Sequence, residues 1–176
     1  MKRIFSTTWL FVAVSACGGG SEPPAVRDPF IAFADDFKGF HGWSQFDVTS
    51  TAQPGTVHPD ARLIEYLNKV PPHGSTAFPV GTIIVKEPTD GAPTDRKIFA
   101  GVKRGGGYNA NGAPGWEWYE LQNLGDSADS VLIVWSGVGP PAGDVYGGDP
   151  NAGCNTCHHD CGNDAVCAPA LKLENF

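Results

Sequence analysis

Glycine and proline interrupt this chain about once in every five residues, with 23 glycines and 15 prolines among 176. Inside a helix each glycine costs about 1 kcal/mol relative to alanine and each proline about 3 kcal/mol. A helical bundle is therefore excluded, and short strands joined by turns are expected. Alternating or β-rich stretches at Arg62 to Asn68, Gly81 to Glu87, Lys97 to Lys103, Trp116 to Gln122 and Val131 to Trp135 supply five strands. Pro29 to Phe37 reads as a short amphipathic helix with Phe30, Phe33 and Phe37 on one side, and Gly39 and Gly42 end it. The fold expected is mainly β (α+β), a single domain with a roughly five-stranded antiparallel sheet and a few packed helices. Hydrophobic residues at 41% suffice for a core, and a net charge of −7 disfavours nucleic acid as a partner.

The first residues read as an export signal. Lys2 and Arg3 precede a short apolar run through Trp9 to Ala16, too short to span a bilayer. It closes on Val14-Ser15-Ala16-Cys17, which resembles a bacterial lipoprotein box; an ordinary secretory signal ending in cysteine is the bland alternative. On this reading residues 1–16 are removed, Cys17 is lipidated and residues 17–29 form a flexible tether. Residues 30–176 form the domain, held to the membrane by lipid alone. Gly18 after the cysteine, by resemblance to bacterial sorting rules, places the anchor in the outer membrane of a Gram-negative cell, facing the periplasm.

Four of the five cysteines fall between Cys154 and Cys167. Cys154-Asn155-Thr156-Cys157-His158 has the spacing of covalent haem attachment, with two thiols for two vinyl groups and a histidine for the iron. Cys154 and Cys157 are then the thioether residues, His158 is the metal ligand and the C-terminal segment carries haem c. A redox-active Cys pair, a zinc site and two structural disulfides are the rival readings. Cys161 and Cys167 remain, and a disulfide between them is expected, because free thiols are a liability in an oxidising compartment. The only methionine is Met1, so the iron has no methionine to serve as sixth ligand. His41, His58, His73 and His159 are the other histidines, all but His159 in Gly/Pro-rich connectors. An iron with one open position is expected. The triple glycine Gly105 to Gly107 follows a strand without a helix or a Gly-Lys-Ser/Thr ending, so no nucleotide loop is read there.

The segments Phe78 to Glu87 (FPVGTIIVKE), the GW.WYEL pattern from Gly115, and CNTCH followed by Asn163-Asp164 together resemble the cytochrome P460 family, including its β-sheet c′-beta members. The resemblance spans roughly residues 60 to 172. It implies a homodimer of mainly antiparallel domains, with Lys86 as a lysine cross-linked to the haem edge and Arg62 as a pocket arginine. It implies oxidation of hydroxylamine with electrons passed to an external acceptor. The alternatives are a five-coordinate nitric oxide binder or scavenger and an electron-transfer lipoprotein without turnover. The family's distal acid has no counterpart at Lys103, and Glu117 or Glu120 are the candidates to replace it.

Overall fold

The computed structural model describes residues 28–51, 62–144 and 153–176; the signal, Cys17 and His58 lie outside them. Six strands form one open antiparallel sheet in chain order: β1 (Ser44–Asp47), β2 (Leu63–Leu67), β3 (Ile83–Pro88), β4 (Ile98–Lys103), β5 (Trp116–Asn123) and β6 (Val131–Gly137). Each strand returns beside its predecessor, the arrangement that short turns permit.

The expected five-stranded sheet is thus corrected to six. The added strand, β1, contains one apolar residue, Phe46, and its other three residues are exposed. Backbone pairing to β2, with Gln45 opposite Tyr66 and Phe46 opposite Glu65, makes it a strand. The expected N-terminal helix is replaced by two 3₁₀ turns, Ala34–Phe37 and Phe40–Gly42. Gly39 separates them at φ +71°, a conformation few other residues adopt without cost. Phe37 and Phe40 turn into the core while Phe33 stays exposed.

Both faces of the sheet are covered, which explains why β2 is buried at every position. One face sends Ile64, Ile83, Val85 and Ala100 against Phe37 and Phe40 of the N-terminal segment. The other sends Leu63, Leu67, Trp116, Trp118 and Trp135 against residues between Ala165 and Phe176. On this second face Gly101 leaves room for two stacked indoles. A Cβ there would come within 3.0 Å of Trp118 and 3.3 Å of Trp116. On the first face the buried Glu87 carboxylate holds a polar cluster. It meets His41 Nε2 at 2.8 Å and accepts bonds from Arg96 at 3.0 Å and the Tyr66 hydroxyl at 3.4 Å. The opposite nitrogen of His41 lies 3.0 Å from Asp129.

Candidate functional site

Strand register draws one line of side chains across the second face: Phe46, Glu65, Lys86, Phe99, Glu120 and Trp135, one from each strand. Glu65 and Lys86 sit directly opposite each other, with Nζ 3.7 Å from Oε1. The second carboxylate oxygen of Glu65, Oε2, is buried and has no hydrogen-bond partner. Desolvation raises the Glu65 pKa above its ordinary 4.5, and the Lys86 charge opposes that rise without cancelling it. Farther along the line, the Trp135 indole N–H donates to Glu120 at 3.0 Å, and Lys97 lies 3.5 Å from the other Glu120 oxygen. Glu65 is thus an acid held inside the protein beside a lysine whose side chain is 23% exposed, enough to reach solvent.

The C-terminal segment packs beside this line. One α-helical turn, α1 (Cys154–His158), runs directly into a 3₁₀ turn at His159–Cys161. Asn155 pins it to the sheet, accepting from the Trp118 indole at 2.8 Å and exchanging two 2.8 Å bonds with Asn109. The His158 ring lies 4.3 Å from the Trp118 ring, and its Nδ1–H donates to the Ala165 carbonyl at 2.8 Å. That bond leaves the lone pair on Nε2. Burial lowers the His158 pKa and the charge of Lys86 lowers it further, while the Ala165 bond opposes the shift. The two groups therefore sense each other electrostatically.

A left-handed run fixes this arrangement. Gly162, Asn163, Asp164 and Ala165 all have positive φ, from +44° to +65°. Non-glycine residues rarely adopt this conformation in succession. Its supports are polar. Asp164 accepts from Lys103 and from the Phe78 N–H at 2.8 Å, and its carbonyl takes the Trp116 indole N–H at 2.7 Å. Asn163 bonds the carbonyls of Val166 and Leu171 and the N–H of Leu173. Cys161 and Cys167 are joined in a disulfide that spans the run, whereas Cys154 and Cys157 are free thiols. Burial pushes the Cys154 thiol up to about 12.

The residues singled out from sequence therefore fall in different places. Lys86 and His158 share one region, and Glu120 lies on the Lys86 line. Glu117 points to the opposite face and pairs with Arg104 at 3.0 Å. Arg62 is exposed just outside β2 and bonds Asp47 at 3.2 Å. Lys103 is buried on Asp164 and belongs to the docking of the C-terminal segment. Sequence reasoning passed over Glu65. Its signal was a lone acid between Leu63 and Leu67 on one strand face, a position where a carboxylate must either be buried or reach a partner.

The haem reading is corrected. The structure gives Cys154, Cys157 and the His158 imidazole a different setting. Here the Trp118 ring lies against that imidazole, and the sheet around it carries a packed core that includes Trp116, Leu171 and Leu173. Among the described residues no group of three or more His, Cys, Asp or Glu side chains is placed to hold a metal ion. Four cysteines resolve into one disulfide and two thiols. These findings overturn the covalent haem c, the iron ligand role of His158 and the Lys86 cross-link. Hydroxylamine oxidation, nitric oxide binding at haem and cytochrome electron transfer fall with them, as does the resemblance to cytochrome P460. Among the described residues no helix is long and apolar enough to cross a membrane. No known protein family, curated protein or solved structure matches this chain.

Proposed function

We propose that this is an exported, lipid-tethered domain that binds a small molecule bearing N–H or O–H groups at the Glu65–Lys86 pair. Hydroxylamine is the test case. The reading is carried by one observation, the buried Glu65 Oε2 without a partner. An unsatisfied buried acceptor costs about 1–3 kcal/mol, so a ligand donor that reaches it offsets a penalty the free protein carries. Hydroxylamine offers an O–H or N–H to Oε2 and a lone pair to the Lys86 ammonium. With its pKa raised by burial, Glu65 is suited to take a proton from such a ligand or return one.

Carboxyl-selective NMR tests the pair. Titration with hydroxylamine is expected to move the Glu65 carboxyl resonance, and Glu65→Gln and Lys86→Met should each weaken binding at least tenfold. An unmoved Glu65 signal in folded protein would sink the proposal. The same variant has a stability signature. Because the folded pKa of Glu65 lies above 4.5, its favourable contribution is complete below pH 4.5 and is lost as pH rises through the folded value. Glu65→Gln is expected to gain stability relative to wild type over that window, as read by urea unfolding at successive pH values.

Export and tethering rest on Lys2, Arg3, the apolar run and the Val14 to Cys17 box, all in the sequence. Cys17→Ala is expected to shift the protein from the membrane fraction to the soluble one, or to leave unprocessed precursor. Fractionation with a lipid label checks this, and unchanged retention of a processed, unlabelled chain would refute it.

A further inference from the structure

The free thiols play no part in the site just proposed, yet their placement is ordered. Cys154, Cys157 and Cys161 stand at i, i+3 and i+7 along the continuous helical stretch formed by α1 and the following 3₁₀ turn. On a helix this spacing puts three sulfurs on one face, each within a turn of the next. The third of them is already bonded to Cys167. Cys157, in the middle, is exposed; Cys154 is partly buried against the C-terminal core; and Cys167 is exposed. Cys161 Sγ lies 3.2 Å from the Cys157 carbonyl oxygen, so the disulfide sits directly over the turn that carries the free thiol.

We propose that these four cysteines form a thiol–disulfide relay that delivers two electrons to a peptide or protein disulfide. In the first step the Cys157 thiolate attacks Cys161 Sγ. The Cys161–Cys167 bond breaks, a Cys157–Cys161 bond forms, and Cys167 leaves as a thiolate. In the second step Cys154, after losing its proton to solvent, attacks Cys157 Sγ. The Cys154–Cys157 disulfide forms and Cys161 leaves as a thiolate that is reprotonated. These two steps are an isomerisation with no net oxidation. They move the disulfide to the inner pair and the dithiol to Cys161 and Cys167, where a partner can reach it. Cys167 then attacks the partner disulfide and Cys161 resolves the mixed disulfide. The Cys161–Cys167 bond re-forms, and the partner leaves as two thiols. Two electrons and two protons have passed from the chain to the partner.

Two features suit the sequence of steps. Attack requires open approach to a disulfide sulfur, and Cys157 is exposed, whereas Cys154 is partly buried and burial pushes its thiol up to about 12. Cys154 is thus fitted to resolve rather than to initiate. Cys167 Sγ also lies 3.6 Å from the His158 ring, so the leaving sulfur stays next to a polar group through the exchange.

The probe is oxidised glutathione, added to the full-length protein with acid quenching, alkylation and peptide mapping by mass spectrometry. Wild type is expected to release reduced glutathione and to end with both the Cys154–Cys157 and the Cys161–Cys167 disulfides. Cys157→Ser should cut the release rate at least tenfold and keep Cys161–Cys167 as its only linkage. Cys154→Ser should stop with a Cys157–Cys161 bond and glutathione on Cys167, whereas glutathione on Cys157 with Cys161–Cys167 intact overturns the relay. Because Cys157 is exposed, its serine variant is expected to unfold at the wild-type temperature, which separates lost chemistry from lost fold. Wild type that shows only the Cys161–Cys167 linkage and releases no glutathione overturns the relay. So does release that is equally fast in Cys157→Ser.

Discussion

Asp164→Ala is expected to lower the unfolding free energy by about 3–5 kcal/mol, the usual loss when one partner of a buried ion pair is removed. Asp164 and Lys103 are both nearly enclosed, with side chains 14% and 10% exposed. Without the carboxylate, the Lys103 ammonium keeps the Pro114 carbonyl at 2.9 Å and the face of Trp116 at 5.2 Å, but no counter-charge. The Phe78 N–H also loses its acceptor. Alanine must then hold φ near +53°, which adds about 1–2 kcal/mol. Asp164→Asn isolates the charge, because asparagine tolerates the left-handed region and keeps an acceptor for Phe78; roughly half of the loss should return. Urea unfolding followed by tryptophan fluorescence measures both variants. A loss under about 1 kcal/mol for the alanine variant would show that Asp164 does not hold the C-terminal segment on the sheet.

On the opposite face, Glu87→Ala is expected to cost about 3 kcal/mol, toward the lower end for a broken buried pair. The reason for the lower end is specific. Arg96 retains the Thr89 and Gly91 carbonyls at 2.8 and 2.9 Å, and His41 retains Asp129. Tyr66 gives a second readout. Desolvation, followed by the charge and hydrogen bond of Glu87, pushes its hydroxyl up to about 12. Removing Glu87 deletes the second and third causes, so the phenol should ionise closer to its ordinary 10. An ultraviolet pH titration resolves the change. A Tyr66 titration unmoved by Glu87→Ala would mean that the cluster is looser than its distances indicate.

Five strands were readable because their apolar residues recur with strand periodicity and Gly or Pro closes most of them. β1 was not readable, since a segment with only Phe46 to bury becomes a strand through its neighbour's backbone. Lys86 was singled out only through the family resemblance, and Glu65 was not singled out at all. Residues 62–68 look half-polar in one dimension, and only the covering of both faces shows that the acid is enclosed. The Cys-x-x-Cys-His spacing was legible as a motif, but which groups pack beside it is a matter of long-range contact. Trp118 and Asn109 approach it from far along the chain. The left-handed run was hidden as well. Asn and Asp tolerate this conformation singly, but the run through Ala165 is held by bonds such as Phe78 N–H to Asp164 and Asn163 to the Leu171 carbonyl.

The covering of the sheet by the segments before β1 and after β6 sets an order in time. All five strand pairings join neighbours in sequence, so hairpins can close locally and early, with little loop entropy to overcome. The face bearing Trp116, Trp118 and Trp135 has no such local cover. Leu171, Leu173 and Phe176 lie far beyond β6 in sequence, so this aromatic surface stays bare until a distant segment folds back onto it. The sheet can therefore form before its second core does, and the aromatic face is the last part of the domain to leave water.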